Sequence, residues 1–207
     1  IIFVFRAVPL PGPGLGWFEI DVLGFDERFL SILSLITSCL TLAGLVLMRP
    51  IMAEWTIVRI VALLTVLQGL LSLPNIGLYY GLHEWTAPLT GGVVDARFIA
   101  IIDTAIESPL GQIAMIPMLA WIARNAPLRL KATFFAVMAS FTNLALSASS
   151  LATRHLNHVF VVTREAAGTP ADYGELGMLL ITVAVLSVAL PLLTILVVQR
   201  TAFRTED

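Results

Sequence analysis

One cysteine, Cys39, stands in 207 residues, which excludes an intrachain disulfide and any metal site built from several thiolates. Charge is almost as scarce. Asp, Glu, Lys and Arg make up 13% of the chain, where a soluble domain carries about 25%. The formal net charge is -2, and the basic residues are scattered singly, so no nucleic-acid groove is expected. Catalytic signatures are missing too. There is no Gly-x-Ser-x-Gly elbow, no His-Glu-x-x-His helix and no Gly-x-Gly-x-x-Gly turn. Pro9 to Gly16 alternates Pro and Gly, yet no Lys-Ser or Lys-Thr pair follows, so it reads as a turn-rich outer loop and not as a phosphate cradle. His155 and His158 stand three residues apart with no third ligand nearby, and they read as interfacial histidines more readily than as a metal site. No catalytic residue, metal or cofactor is expected.

What the chain has in quantity is apolar length, at 58% hydrophobic residues. A helix that crosses a bilayer needs roughly 20 apolar residues. Stretches of that size occur at Phe29 to Met48, Thr56 to Tyr79, Phe98 to Ala123, Ala132 to Ala152 and Leu176 to Val198. The expected fold is therefore all-α: a polytopic transmembrane bundle in a single domain over residues 1–207, surrounded by membrane lipid. Ile1 to Val8 opens on an apolar run with no basic segment or small-residue cleavage site, and reads as the end of a further span of a longer chain. Arg6 in that run is either a lumen charge or an interfacial one that snorkels.

Connections alternate in charge. Arg49 with Pro50 is expected to end the first full span and Arg59 to begin the next; Arg124, Arg129 and Lys131 share another short connection, and Arg200 and Arg204 follow the last span. The intervening loops carry Glu19, Asp21, Asp26, Glu27, Glu84, Asp95, Glu165, Asp172 and Glu175. The positive-inside rule then expects a multi-pass protein of the inner (plasma) membrane, its C-terminus cytoplasmic and its acidic loops outside. Trp17, Trp55, Trp85, Trp121, Tyr79 and Tyr80 fall near span ends, where amphipathic rings favour the headgroup zone.

Two carboxylates break the third apolar run. Asp103 and Glu107 are four residues apart, so they share a helix face, and they lie about 8 and 13 Å in from the expected helix start. A carboxylate at the centre of a span costs about 2.5 to 3.5 kcal/mol on insertion scales. Such a pair suits a proton carrier or a counter-charge for a cationic group; a structural ion pair with a basic residue elsewhere is the alternative. Pro109 places a kink beside them, and Pro74, Pro117 and Pro191 sit within other spans. Gln112 is nearly opposite Asp103 on the same helix.

Polar stripes at i, i+3, i+7 and i+10 occur on three spans: Ser31, Ser34, Ser38 and Thr41; Thr65, Gln68, Ser72 and Asn75; Ser140, Asn143, Ser147 and Ser150. Thr133 and Arg154 extend the last of these. Small hydroxyl residues suit close helix contacts, whereas Gln68, Asn75 and Asn143 carry wide amides that suit a wet lumen.

Gly111 to Pro117, Ala123-Arg124 with Pro127, and Ala132 to Ala136 followed by Ser140 and Asn143 resemble the tenth and eleventh spans of the folate-biopterin transporter family. Leu23-Gly24-Phe25 before Phe29-Leu30 is similar to that family's approach to its eighth span. The family belongs to the major facilitator superfamily, so the resemblance implies the C-terminal six-helix half of a twelve-helix transporter, entered within the seventh span, with the N-terminal half as its partner. It further implies alternating access of a small polar solute such as a folate or pterin, with coupling to protons carried by the acid pair. Span twelve would lie at the periphery, and the stripe on span nine fits a cavity less well. Expected contacts for substrate or protons are Asp103, Glu107, Gln112, Ser140, Asn143 and Ser38. Glu107 stands where the family is expected to have an apolar residue and Lys131 where many members have Glu, which leaves another metabolite open as the cargo. A membrane assembly protein that does not transport is the competing class.

Overall fold

A computed structural model describes residues 1–54, 56–113, 127, 129–165 and 170–201. Over these the chain forms α1 (Ile2–Arg6), α2 (Pro13–Asp21), α3 (Glu27–Glu54), α4 (Ile57–Tyr79), α5 (Leu82–Leu89), α6 (Ala96–Ile113), α7 (Lys131–Val159) and α8 (Leu176–Gln199). The architecture is the expected all-helical transmembrane bundle. Four helices, α3, α4, α7 and α8, are long and apolar enough to cross a membrane. The expected third span is described as far as Ile113 of α6, and its remainder, with Pro117 and Trp121, lies outside the described residues.

Helix boundaries correct the sequence reading in three places. Pro50 does not end the first full span, since α3 continues to Glu54. A proline deletes one backbone donor, and the helix continues at that cost. The next helix begins almost at once at Ile57, where the Thr56 side chain accepts a hydrogen bond from the Arg59 N–H at 3.2 Å. Pro9 to Gly16 is not all loop, because Pro13 opens α2 at a first-turn position, where its ring pre-sets φ and no donor is lost. Gly12 before it has φ +78°, and a Cβ there would meet Asn157 Nδ2 at 2.7 Å, so chain direction and close approach both require glycine. His155 and His158 lie inside a helix, because α7 runs on to Val159.

Packing follows the order α3, α6, α4, α8, α1, α7, with α4 also meeting α1 and α5. α4 and α8 approach closely where Gly69 faces Val188 and Gly177 faces Tyr79. The largest core cluster joins Phe18 of α2 to Leu176, Leu179, Leu180 and Val183 of α8, with Tyr79 and Tyr173 packed against it. A second buries Phe25, Phe29 and Ala100 between α3 and α6. Gly24, at φ +68°, turns the chain into it. Arg97 closes this end: its guanidinium sits 5.3 Å over the Phe29 ring, 3.5 Å from Asp26, and donates to the Gly24 carbonyl. Elsewhere large apolar side chains such as Leu42, Leu144 and Val197 are exposed, as lipid-facing residues are.

Both clusters lie at the end of the bundle that carries the acidic loops, and a polar latch secures the same end. Thr163 and Asp172 form an antiparallel bridge that closes the loop between α7 and α8. From that loop Arg164 donates two hydrogen bonds, at 2.9 and 2.8 Å, to the Asp21 carboxylate of α2, and the Tyr173 hydroxyl donates a third at 2.6 Å. Tyr79 of α4 donates to the carbonyls of Tyr173 and Gly174. The Arg164 bonds, and then that of Tyr173, hold the Asp21 carboxyl below its usual range, whereas burial first and Asp21 second push the Tyr173 phenol up to about 12.

The phenol is held in its neutral form, so its contribution is fully present below the ordinary value of 10.0 and lost as pH rises through about 12. The Asp21 contribution has the opposite sense, present above 3.8 and lost as pH falls through the depressed value. Replacing Asp21 by Asn in the full-length protein is expected to lower the Tyr173 ionisation part of the way toward 10.0, leaving the share due to burial. Ultraviolet titration against a Tyr173→Phe reference reads this shift, and an unmoved phenol would show that Asp21 does not hold it.

Candidate functional site

Asp103 is 6% exposed and lies on the face of α6 that meets α4. There the Asn75 amide donates to its Oδ2 at 3.0 Å. The bond is charge-assisted wherever Asp103 is ionised, and it gives Oδ2 a partner within the bundle that hydrocarbon would not supply. Asp103 therefore sits at a helix interface. Glu107 and Gln112 belong to α6 by their backbone, but the places of their side chains lie outside the described residues.

The α4 stripe is packed. Thr65 is fully buried and donates to the Val61 carbonyl at 2.7 Å, while Ser72 donates to that of Gly69. Gln68, Ser72 and Asn75 face Ser187 of α8 across a cleft of about 180 Å³ that also reaches Leu10. The helix-contact reading thus holds for Thr65, and the amides of this stripe line a small, mainly apolar cleft.

The other two stripes are open. Ser31, Ser34 and Ser38 of α3 are exposed, as are Ser140, Asn143, Ser147 and Ser150 of α7. At about 100° per residue each stripe points away from its helix's buried side, marked by Phe29 on α3 and by Ala145 and Ser149 on α7. Ser38 donates to the Ser34 carbonyl at 2.9 Å and Ser140 to that of Ala136 at 3.0 Å. Bonds of this kind satisfy a hydroxyl but not an amide such as Asn143. These helices stand at the two ends of the packing order, and Asp103 lies between them on α6. The structure thus brings Asp103 to Asn75 and does not bring it to Ser38, Ser140 or Asn143.

Some functional geometry escapes sequence reading. The buried side of α7 is itself polar: Ser149 donates to the Val8 carbonyl at 2.6 Å, Thr153 accepts from the Leu10 N–H, and Asn157 donates to the Pro11 carbonyl. Their four-residue spacing was the available signal. Among the described residues no group of three or more metal-ligating side chains occurs.

A profile of the BT1 family matches residues 1–207. The chain belongs to the BT1 family. Over 144 residues it is 30% identical to a folate-biopterin transporter of Synechocystis sp., a match that covers 70% of this chain and 28% of the relative. It thus spans under a third of that relative's length. No solved structure matches. Family membership and the four apolar helices among the described residues make this BT1 chain an integral membrane protein.

If the Asn75 bond is what makes buried Asp103 tolerable, Asn75→Ala in the full-length BT1 protein should cost about 1 to 3 kcal/mol, because the acid loses a donor that no water replaces. The double variant Asn75→Leu with Asp103→Leu is expected to cost less than the sum of the single ones. Thermal unfolding in detergent provides the comparison, and strict additivity would show that the two side chains do not support each other.

Proposed function

We propose that this chain supplies the C-terminal six-helix half, in the manner of the major facilitator superfamily, of a carrier that moves a folate or pterin by alternating access coupled to protons. The observation that carries the reading is the pair of polar stripes on α3 and α7. Both end the packing order, and both turn Ser and Asn side chains away from their packed sides. Lipid offers an amide such as Asn143 no partner, so a water-filled cavity closed by an N-terminal half accounts for them. Ser38, Ser140 and Asn143 then contact the solute, with Gln112 as a further contact.

Asp103 and Glu107 carry the protons or offset solute charge. The Asn75 bond supports this role for Asp103, since protonation weakens a bond to a carboxylate and would loosen α6 from α4. Charge bias in the loops orients the protein with its basic connections and C-terminus in the cytoplasm of an inner (plasma) membrane. The relative's name supports folate or biopterin as cargo, and amides and carboxylates suit the donor and acceptor edge of a pterin ring.

Uptake of labelled folate and pterin into vesicles holding the full-length protein, measured with and without an inward proton gradient, tests the proposal. Wild type is expected to accumulate at least one of the two. Glu107→Gln and Asp103→Asn are each expected to reduce gradient-driven uptake by about tenfold or more at equal expression, a loss of about 1.4 kcal/mol. Wild-type vesicles that take up neither compound would remove the substrate assignment, and variants as active as wild type would remove the acids from the mechanism.

A further inference from the structure

The open stripe on α7 does not stop at Ser150. Arg154 and His158 continue it at four-residue steps, and both are exposed. At about 1.5 Å per residue they stand about 35 and 40 Å from Lys131, beyond a hydrocarbon core of about 30 Å and so at the aqueous mouth of the bundle. Here α2 and α7 enclose an open cleft of about 550 Å³, whose lining includes Trp17, Ser150, Arg154 and His158. That volume falls in the range of small-molecule sites.

Three acids of this end of the bundle are engaged elsewhere. Asp21 holds Arg164 and Tyr173, Glu175 accepts from the Val161 N–H at 2.6 Å, and Asp172 accepts from the Gly174 N–H. Among the described residues Arg154 has no ion-pair partner; the two ion pairs there join Arg97 to Asp26 and Arg164 to Asp21. A guanidinium with an imidazole one helical turn away, beside an indole, is suited to an aromatic carboxylate. The two cationic or N–H-bearing groups take the acid, and the ring lies against Trp17.

We infer that the cleft between α2 and α7 is an entry subsite for the carboxylate of an aromatic acid, with Arg154 and His158 binding the acid group and Trp17 covering the ring. The subsite rests on the reading that the α7 stripe leads into a solute cavity. It adds selection by charge: a solute with a carboxylate tail is held at the mouth, and an uncharged ring of similar size is not.

A direct binding measurement separates this inference from transport itself. Full-length protein in phosphatidylcholine nanodiscs is titrated with p-aminobenzoylglutamate and with its uncharged diamide. Wild type is expected to favour the dicarboxylate by about tenfold. Arg154→Gln should abolish that preference and Arg154→Lys should retain part of it, with monodispersity and melting temperature unchanged. Equal affinity for the two probes in wild type, or a preference that survives Arg154→Gln, would overturn the subsite whatever the uptake assay gives. A preference lost when anionic lipid is added to the discs would assign the two residues to lipid phosphate and likewise overturn it. Intact preference without uptake of folate or pterin would instead count against the transport proposal alone.

Discussion

Hydrocarbon offers no hydrogen-bond partner, and every polar side chain of the spans has to find one in its own helix, in another helix or in water. The three stripes show three solutions. On α4, Thr65 turns back to its own backbone and Asn75 reaches across to Asp103, so the polar groups become the contact between α4 and α6. On the buried side of α7, Ser149 and Asn157 bind carbonyls of the segment that runs from α1 to α2. On the open sides of α3 and α7 serines bond to their own helices, and the Asn143 amide lies exposed. The chain's scarcity of charge makes the same point. A bundle that must account for each polar group keeps few, and those present lie at contacts, at loop latches or on surfaces turned to solvent.

Rings and polar ties meet at the end of the bundle that carries the acidic loops. Phe18, Tyr79 and Tyr173 meet ring against ring, with centroids 5.5 and 5.8 Å apart, beside the latch that ties α2 to the loop before α8. Arg97 and the Phe25–Phe29 pair fasten α3 to α6 at the same end. The latch contributes through geometry more than through charge, since Asp21 and Arg164 are partly exposed and a solvent-screened pair is worth little by itself.

Apolar length made the spans legible in the sequence, and it placed α4 and α8 to within a residue or two. Propensity misled at the edges. Pro50 carries a breaking signal, yet α3 runs four residues past it, and α2 and α5 are short helices that length arguments pass over. The acid at Asp103 was legible as costly and therefore used, but its partner was not. Asn75 lies 28 residues away, and one-dimensional spacing cannot tell an amide that faces a neighbouring helix from one that faces water. The stripes on α3 and α7 were legible as stripes. That they stand first and last in the packing order of the described residues is something no single-helix periodicity contains.

Glu54 ends α3 and Ile57 begins α4, so two helices that both pack against α6 are also joined by a very short stretch of chain. α4 is held to α8 through Gly69 and Gly177 and to α6 through Asn75. α3 is thus tied to the rest of the bundle twice, by chain continuity with α4 and by its packing on α6. Covalent connection closes one end of this pair of helices, and rings and ion pairs close the other.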